Sequence, residues 1–455
     1  MLIQELYLVI VSYYVRASNL MIDSYISANR PILDFIHSLF DNLFYVFLYV
    51  TVAVSVLFIM MSIYAIFFSK KSEEREFDES KAPFVTIQIP TYNELAALNC
   101  AQKCLEMDYP RDRYEIIIGD DSNNPKISRK IDVFASRHSD MIRITRRGSN
   151  VGFKPGNLNH MLKYSRGEIL VIFDSDFLPE KDFVRRIVAP FQYDKKIGGT
   201  QSRWKFINNN QNIFSFMGSL VVEGFHHVYL PFMKRFGKLS FLCGSGEAVR
   251  KDILVKMGGW RSGSLTEDIE FSVRMLKEGY KIAYIEDVEV YCEAPFTARD
   301  LYRQQKRWAY GVISSLIMHF KGIVGSRKID AKTKTFIQFQ GLGYLFTMLL
   351  GMMFVTGVIS LVSHRPAPIE WMKLLTETGR NFLITSGALV ISFVALWRTK
   401  RLRHWWKVIT TSLSVGLLLV FYVNEGIFKA ILGGRMEWFM LNKLGNKGKV
   451  KVDSK

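Results

Sequence analysis

The sequence predicts an α/β fold, a doubly wound and mostly parallel sheet inserted between apolar helices that cross a membrane. Three observations carry this. Ile169-Leu170-Val171-Ile172-Phe173 is an unbroken apolar run, as expected of a strand covered on both faces in a parallel sheet. Strand and helix patterns alternate through the polar region from about residue 84 to 311. Residues 43–68 carry no charge over 26 positions, enough to cross a bilayer, and the chain turns strongly apolar again after about Thr335.

Taken in order, residues 1–36 precede the first span. Residues 1–15 are apolar with Tyr7, Tyr13 and Tyr14 but lack a basic start, which predicts an interfacial helix and not a cleaved signal peptide. A span and a charged linker fill residues 37–82, and the polar domain occupies 83–312. Its first strand, 84–89, closes in Pro90-Thr91-Tyr92-Asn93-Glu94, and a helix is predicted over 95–107. Strand 114–118 stops at Asp120-Asp121. A helix over 126–136, a strand over 141–145, the turn Gly152-Phe153-Lys154-Pro155-Gly156 and a helix over 157–164 follow. The strand 169–173 then ends in Asp174-Ser175-Asp176. Phe241-Leu242-Cys243-Gly244-Ser245-Gly246 is a turn of small residues where backbone can approach a ligand. Thr266-Glu267-Asp268 opens an amphipathic helix over 269–278, with Thr266 as its N-cap. Gln304, Arg307 and Trp308 lie on a helix that reaches toward the membrane, continuing into an interface region at 313–334.

Further spans are predicted at 336–362, 382–397 and 408–431, within a membrane region of 335–433, leaving a basic tail at 434–455. Residues 398–407 (RTKRLRHWWK) belong on the cytoplasmic side by their charge. Simple parity then sends the Lys-rich C-terminus to the other side, against the same rule. Either residues 424–433 leave the bilayer as an interface helix, or one span is miscounted.

The formal charge of +18 permits nucleic-acid binding, but the basic excess clusters beside the apolar segments. That distribution fits anchors facing anionic lipid, so the expected partner is a lipid bilayer and not a nucleic acid. The four cysteines form no CxxC pair and no disulfide framework, which points to a reducing compartment. His226-His227 is read as structural, since adjacent residues point apart on a helix or strand.

The chemistry sits at the strand ends. Ligands of open α/β sheets bind beyond the carboxyl ends of the strands, where both acidic pairs fall. Asp174 and Asp176 repel each other unless a cation sits between them, and Mg²⁺ or Mn²⁺ favours one or two carboxylates plus phosphate oxygens. Each short motif alone is also what an Asp-capped turn or a helix start produces. Together, Asp120-Asp121, Asp174/Asp176, Thr266-Glu267-Asp268 and Gln304/Arg307/Trp308 resemble the D, DxD, TED and QxxRW signature of processive family-2 glycosyltransferases, the group of cellulose, hyaluronan and mannan synthases. The resemblance covers residues 83–312. It looks most like the cellulose-synthase-like glucomannan synthases and their prokaryotic relatives, through IQIPTYNE, DDSNNP, GFKPG, VIFDSDFLP, RQQKRWAYG and the tail GGRMEWFMLNKLG.

This resemblance implies a GT-A type, Rossmann-like catalytic domain and a nucleotide-diphosphate sugar donor, UDP- or GDP-linked. Thr91, Tyr92, Glu94 and Asp120, with Asp121 sharing the role, would hold base and ribose. Asp176 and Asp174 would reach Mg²⁺ or Mn²⁺, Asp174 alternatively contacting ribose or sugar. Lys154 and Arg307 would meet phosphate. Asp268 would be the catalytic base of an inverting transfer. Trp308, Gln304, Gly244, Ser245 and Glu267 would line the acceptor side, where a glycan or a lipid acceptor binds. The implied product is a β-linked polysaccharide made by a multi-pass protein of the plasma membrane with a cytoplasmic catalytic domain. The rival acceptor is a diacylglycerol, ceramide or polyprenyl phosphate given a single sugar. A two-metal phosphoryl or nucleotidyl transferase would leave Asp268 and Gln304/Arg307/Trp308 without a role.

Overall fold

The structure, a computed structural model, describes residues 24, 27, 29–68, 76–364, 370–437, 439, 441 and 443. The predicted interfacial helix at 1–15 lies outside them. The chain divides into a small helical unit, residues 1–55 with 348–385, and a large unit, residues 56–347 with 386–455. Within the small unit, His37 Nδ1 lies 3.0 Å from the Ser360 carbonyl oxygen, and Ser360 Oγ reaches Asp41.

The large unit is built on one eight-stranded sheet: β1 (Val85–Thr91), β2 (Tyr114–Asp120), β3 (Ile142–Thr145), β4 (Ile169–Ile172), β5 (Leu178–Pro179), β6 (Ile197–Phe206), β7 (Glu247–Arg250) and β8 (Lys281–Cys292). Their order is β3-β2-β1-β4-β7-β6-β8-β5. β3, β2, β1 and β4 are mutually parallel, β6 and β8 are parallel, and β7 runs antiparallel between β4 and β6. All residues of β1, β2 and β4 are buried, as their continuous apolar runs require.

The helices follow from capping and stripe patterns. α1 is Arg30–Phe67. α2 (Ala96–Leu105) buries Ala97, Cys100, Ala101 and Cys104 on one face, so the two cysteines are core, and all four cysteines are free. α3 (Pro125–Ser136) starts at Asn124, whose side chain accepts from the Lys126 N–H, with proline in the first turn. α4 (Phe153–Leu162) starts four residues before the sequence-based expectation of 157. α5 (Phe183–Tyr193) and α6 (Ile213–Gly224) follow, α6 closed by an Asn212–Ser215 capping box. α7 (Glu267–Lys277) and α8 (Ala298–Gly325) carry the Thr266-Glu267-Asp268 and Gln304/Arg307/Trp308 motifs. Thr266 is the N-cap of α7 by position only, because its hydroxyl makes no capping hydrogen bond.

Among the described residues, the helices long and apolar enough to cross a membrane are α1, α9 (Ala331–Ser363) and α12 (Leu402–Ile431). The span predicted at 382–397 is instead the second part of a broken pair, α10 (Trp371–Ile384) and α11 (Gly387–Arg398), which would make a fourth crossing if counted as one span. α12 also touches the sheet-bearing domain near both its ends. Near its start, Lys407 donates to Asn210 and lies over the Phe216 ring of α6. Near its end, Tyr422 stacks on Tyr302 of α8, with ring centroids 4.7 Å apart, and Glu425 pairs with Lys306. Both ends of α12 therefore rest on the sheet-bearing domain. His226 and His227 are buried, and His226 lies against the rings of Trp204 and Tyr284.

Candidate active site

The parallel strands bring three polar stretches to one edge. β1 pairs with β2 in the register Thr91 to Asp120 and with β4 in the register Gln88 to Ile172, so residues 90–94, 120–124 and 174–176 leave the sheet side by side. Asn93 (φ 56°) and Phe153 (φ 50°) adopt left-handed backbone beside this edge, a conformation that costs free energy and clusters at functional sites.

The adjacent acidic residues of β2 divide. Asp120 has no exposed side-chain surface; it accepts from the Ser122 N–H at 3.0 Å and from Arg146 Nε at 2.9 Å. Burial alone would raise its pKa, but Ser122, Ser128 and Arg146 outweigh that and hold it below the usual carboxylate range. Asp121 faces the cleft and is held by the Arg147 guanidinium, with Nε 3.1 Å from Oδ1. Arg146 and Arg147 directly follow β3. The strand-end logic that flagged the acids applies equally to these two arginines.

Lys154, near the start of α4, joins three motifs. Its ammonium is 2.7 Å from Asp174 Oδ1 and 3.3 Å from Glu267 Oε1, and it donates to the Gly244 carbonyl. Burial disfavours its charge, yet Asp174 and Glu267 more than compensate and raise its pKa. Gly244 (φ 87°) and Gly246 (φ 60°) form the turn that a side chain would strain. A Cβ on Gly244 would lie 3.3 Å from Asp268 Oδ2 and 3.4 Å from Lys154 Nζ, so the backbone itself forms the wall there. Glu247 fixes this turn by accepting from the Gly244 N–H at 2.7 Å, Gln201 accepts from the Cys243 N–H at 2.7 Å, and Trp204 Nε1 donates to the Ser245 carbonyl at 2.9 Å.

Asp268 stands in the first turn of α7, where the helix dipole favours a carboxylate. It is 9% exposed. Burial first, and the charge of Glu267 second, push its pKa up to about 7, against the opposing pull of Lys154 and Arg307. α8 clamps the entry to this helix. Arg307 Nη1 donates to the Leu265 carbonyl at 2.6 Å, and Gly311 packs so closely that a Cβ would lie 2.5 Å from Thr266 Oγ1.

One cleft collects Thr91, Tyr92, Glu94, Asp121, Lys154, Asp174, Asp176, Gly244, Glu267, Asp268, Gln304, Arg307 and Trp308. Asp120 and Ser245 stand behind its wall, Asp120 locked to Arg146 and Ser245 accepting from the Asp174 N–H at 2.9 Å. The DxD carboxylates do not face each other bare: Asp174 holds Lys154, and Asp176 Oδ1 lies 2.7 Å from the ammonium of Lys443. Lys443 escaped sequence reasoning because no local pattern links it to residues so distant in the chain. As a cation site, Asp174 and Asp176 would supply hard oxygen donors on one side of the cleft. Among the described residues no group of three or more acidic, His or Cys side chains forms a ready cage, which suits an ion that keeps positions for substrate phosphates.

A family model described as glycosyl transferase family group 2 matches residues 169–441. Glucomannan 4-beta-mannosyltransferase 2 of Arabidopsis thaliana is 27% identical over 393 residues, covering 84% of this chain and 72% of its own length. Glucomannan 4-beta-mannosyltransferase 1 of Oryza sativa subsp. japonica is 25% identical over 391 residues, covering 84% and 73%. Among solved structures, the mannosyltransferase PcManGT from Pyrobaculum calidifontis, in complex with GDP-Man and Mn²⁺, superposes with a TM-score of 0.55 at 19% identity, covering 80% of this chain and 99% of that one; it shares the fold. With its GT-A type sheet, its motif-lined cleft and these relatives, the chain belongs to glycosyl transferase family group 2, with a resemblance to the cellulose-synthase-like glucomannan synthases.

Proposed function

We propose that the chain is a membrane-embedded, inverting hexosyltransferase that moves mannose from a nucleotide-diphosphate donor onto a growing β-1,4-linked glycan. The observation that carries this reading is the single cleft in which the strand-end carboxylates, Asp268 and the Gln304/Arg307/Trp308 face meet. The choice of mannose and of the β-1,4 linkage rests on the names of the plant relatives. GDP is the favoured nucleotide because the archaeal structure sharing the fold carries GDP-Man. α1, α9 and α12 support a membrane location, and the proposal puts the catalytic domain on the cytoplasmic side.

In this mechanism Tyr92, Glu94 and Asp121 hold the nucleoside end of the donor, and Asp174 and Asp176 would hold the divalent cation. When bound, Mg²⁺ or Mn²⁺ neutralises charge on the diphosphate as it departs. Trp308 offers a flat face to the acceptor sugar, while Arg307 keeps the Leu265–Thr266 entry to α7 in place. Asp268 removes the proton from the acceptor hydroxyl as its oxygen attacks the anomeric carbon. The new carbon–oxygen bond forms as the bond to the diphosphate breaks, and the electron pair leaves with the nucleoside diphosphate. One displacement inverts the centre, so an α-linked donor yields a β-linked product.

The test is to incubate the purified protein with GDP-mannose, UDP-glucose or UDP-N-acetylglucosamine, each with Mg²⁺ or Mn²⁺. The expected result is preferential consumption of GDP-mannose and a high-molecular-weight product cut by an endo-β-1,4-mannanase. A solvent-extractable glycolipid as the sole product contradicts the polymer reading, and preference for a UDP-sugar contradicts the donor.

A further inference from the structure

α7 carries more buried charge than the cleft uses. Asp268 lines the cleft. Glu270, about 200° further round the helix, does not line it and is 1% exposed. Its Oε2 accepts from Arg274 Nε at 2.9 Å, one turn along α7, and its Oε1 lies 2.8 Å from Nε2 of His319 on α8. Arg274 in turn donates to the Met257 carbonyl at 2.6 Å and to the Gly259 carbonyl at 2.9 Å. The next residue, Trp260, exchanges two hydrogen bonds with Asn159 of α4, at 2.7 and 2.8 Å. α4 bears Lys154, α7 bears Asp268, and α8 bears Arg307 and Trp308. The chain of bonds from His319 to Asn159 therefore joins the three helices of the site through residues that do not line the cleft. The far nitrogen of His319 sets its tautomer. Lys277 Nζ lies 3.5 Å from His319 Nδ1, and an ammonium only donates, so Nδ1 accepts and the ring hydrogen stands on Nε2, aimed at Glu270. Burial disfavours the Glu270 charge, but the His319 hydrogen bond and the Arg274 charge outweigh it and lower its pKa.

We propose that His319 is a positioning residue, whose Nε2–H bond to Glu270 fixes the rotation of α7 and so aims the Asp268 carboxylate at the acceptor hydroxyl. The proposal rests on the reading of Asp268 as the base. α8 holds α7 at two points, Arg307 at the Leu265 carbonyl and His319 at Glu270. A buried ion cluster is often no more stabilising than apolar residues of the same volume. Its directional hydrogen bonds, however, are met only in a narrow range of geometries, which apolar packing does not impose. The lever is sensitive: a carboxylate about 6 Å from the helix axis moves about 1 Å when the helix turns by about 10°. A misplacement of about 1 Å can cost about 10²-fold in rate.

The experiment compares His319→Asn with His319→Gln in the purified full-length chain, beside wild type and Asp268→Asn. The Gln amide nitrogen stands near the place of Nε2 and can donate to Glu270, whereas the shorter Asn amide stands near Nδ1 and falls short of it. Both side chains are polar and uncharged. kcat and donor KM are measured with Mn²⁺ and whichever of GDP-mannose, UDP-glucose and UDP-N-acetylglucosamine wild type consumes fastest. kcat is taken per mole of folded protein, with a thermal midpoint for each variant, so that a loss of stability alone leaves it unchanged. The proposal expects His319→Asn to lose about 10–10²-fold in kcat at unchanged donor KM, and His319→Gln to keep most of the wild-type kcat. Equal kcat in the two His319 variants, or a fall in kcat matched by a rise in donor KM, overturns the positioning role and leaves Asp268 as the base. Wild type that consumes none of the three donors, or Asp268→Asn that turns over as wild type does, overturns the base reading itself, and the positioning role with it.

Discussion

Asp268 illustrates how one residue acquires its chemistry from its neighbours. A carboxylate in water is a weak base at neutral pH, while a general base works best with a pKa near the operating pH. Burial and the Glu267 charge bring Asp268 there, at about 7. With Asp268 as the proposed base, the sign of the pH dependence follows: below that value it is protonated and cannot accept the acceptor's proton. kcat/KM should therefore fall about tenfold per pH unit on the acid side. Glu267→Gln removes a negative neighbour, which eases proton loss, so the acid limb should move to lower pH; a limb that stays in place contradicts this cause. A Thr-Glu-Asp run before an apolar stripe marks a helix start and no more, so Asp268 was singled out through the family resemblance. The inequality of Asp120 and Asp121 was not legible, because it depends on which side of β2 each faces and on two arginines of a neighbouring strand end.

At the scale of elements, the apolar strands and their acidic ends were readable, and the polar strands were not. β6 carries Gly198, Gly199, Thr200, Gln201 and Ser202, a composition that suggests a loop, yet the three polar residues are fully buried. Gln201 and Ser202 are satisfied there by the turn at 243–246, with Gln201 Nε2 donating to the Ser245 carbonyl at 3.0 Å and Ser202 Oγ to the Gly246 carbonyl at 2.6 Å. β6 is thus polar because it holds the wall beside Asp268. Just before α12, Arg401 Nη1 lies 3.0 Å from Glu223 Oε1 of α6, with the two side chains 12% and 3% exposed. Removing one partner strands the other charge, at a cost of about 3–5 kcal/mol. Arg401→Leu should therefore lower the thermal midpoint of the protein in detergent by several degrees, and Glu223→Gln/Arg401→Met should recover part of the loss. An unchanged midpoint for Arg401→Leu contradicts the pair's structural role.

For the whole molecule, the order of motifs along the chain was enough to anticipate a sheet with its ligands at one edge, because parallel strands carry their carboxyl ends to the same side. The membrane region was less legible. Apolar length identifies segments able to cross, but it does not distinguish a crossing helix from one that lies along a domain. Parity sent the basic C-terminus across the membrane, against the charge rule, and left the path of the chain after α12 open. In the structure both ends of α12 pack on the catalytic domain and Lys443 returns to the cleft. That return joins Glu94, Asp176 and the far end of the chain in one site, a contact no periodicity encodes. The central claim is that donor binding and proton removal are separate tasks in this cleft, the second belonging to Asp268. It is tested most directly by measuring sugar transfer and donor binding on one preparation of Asp268→Asn. Transfer should fall by at least about 10²-fold while the nucleotide sugar binds with wild-type affinity, and transfer at the wild-type rate would contradict the account.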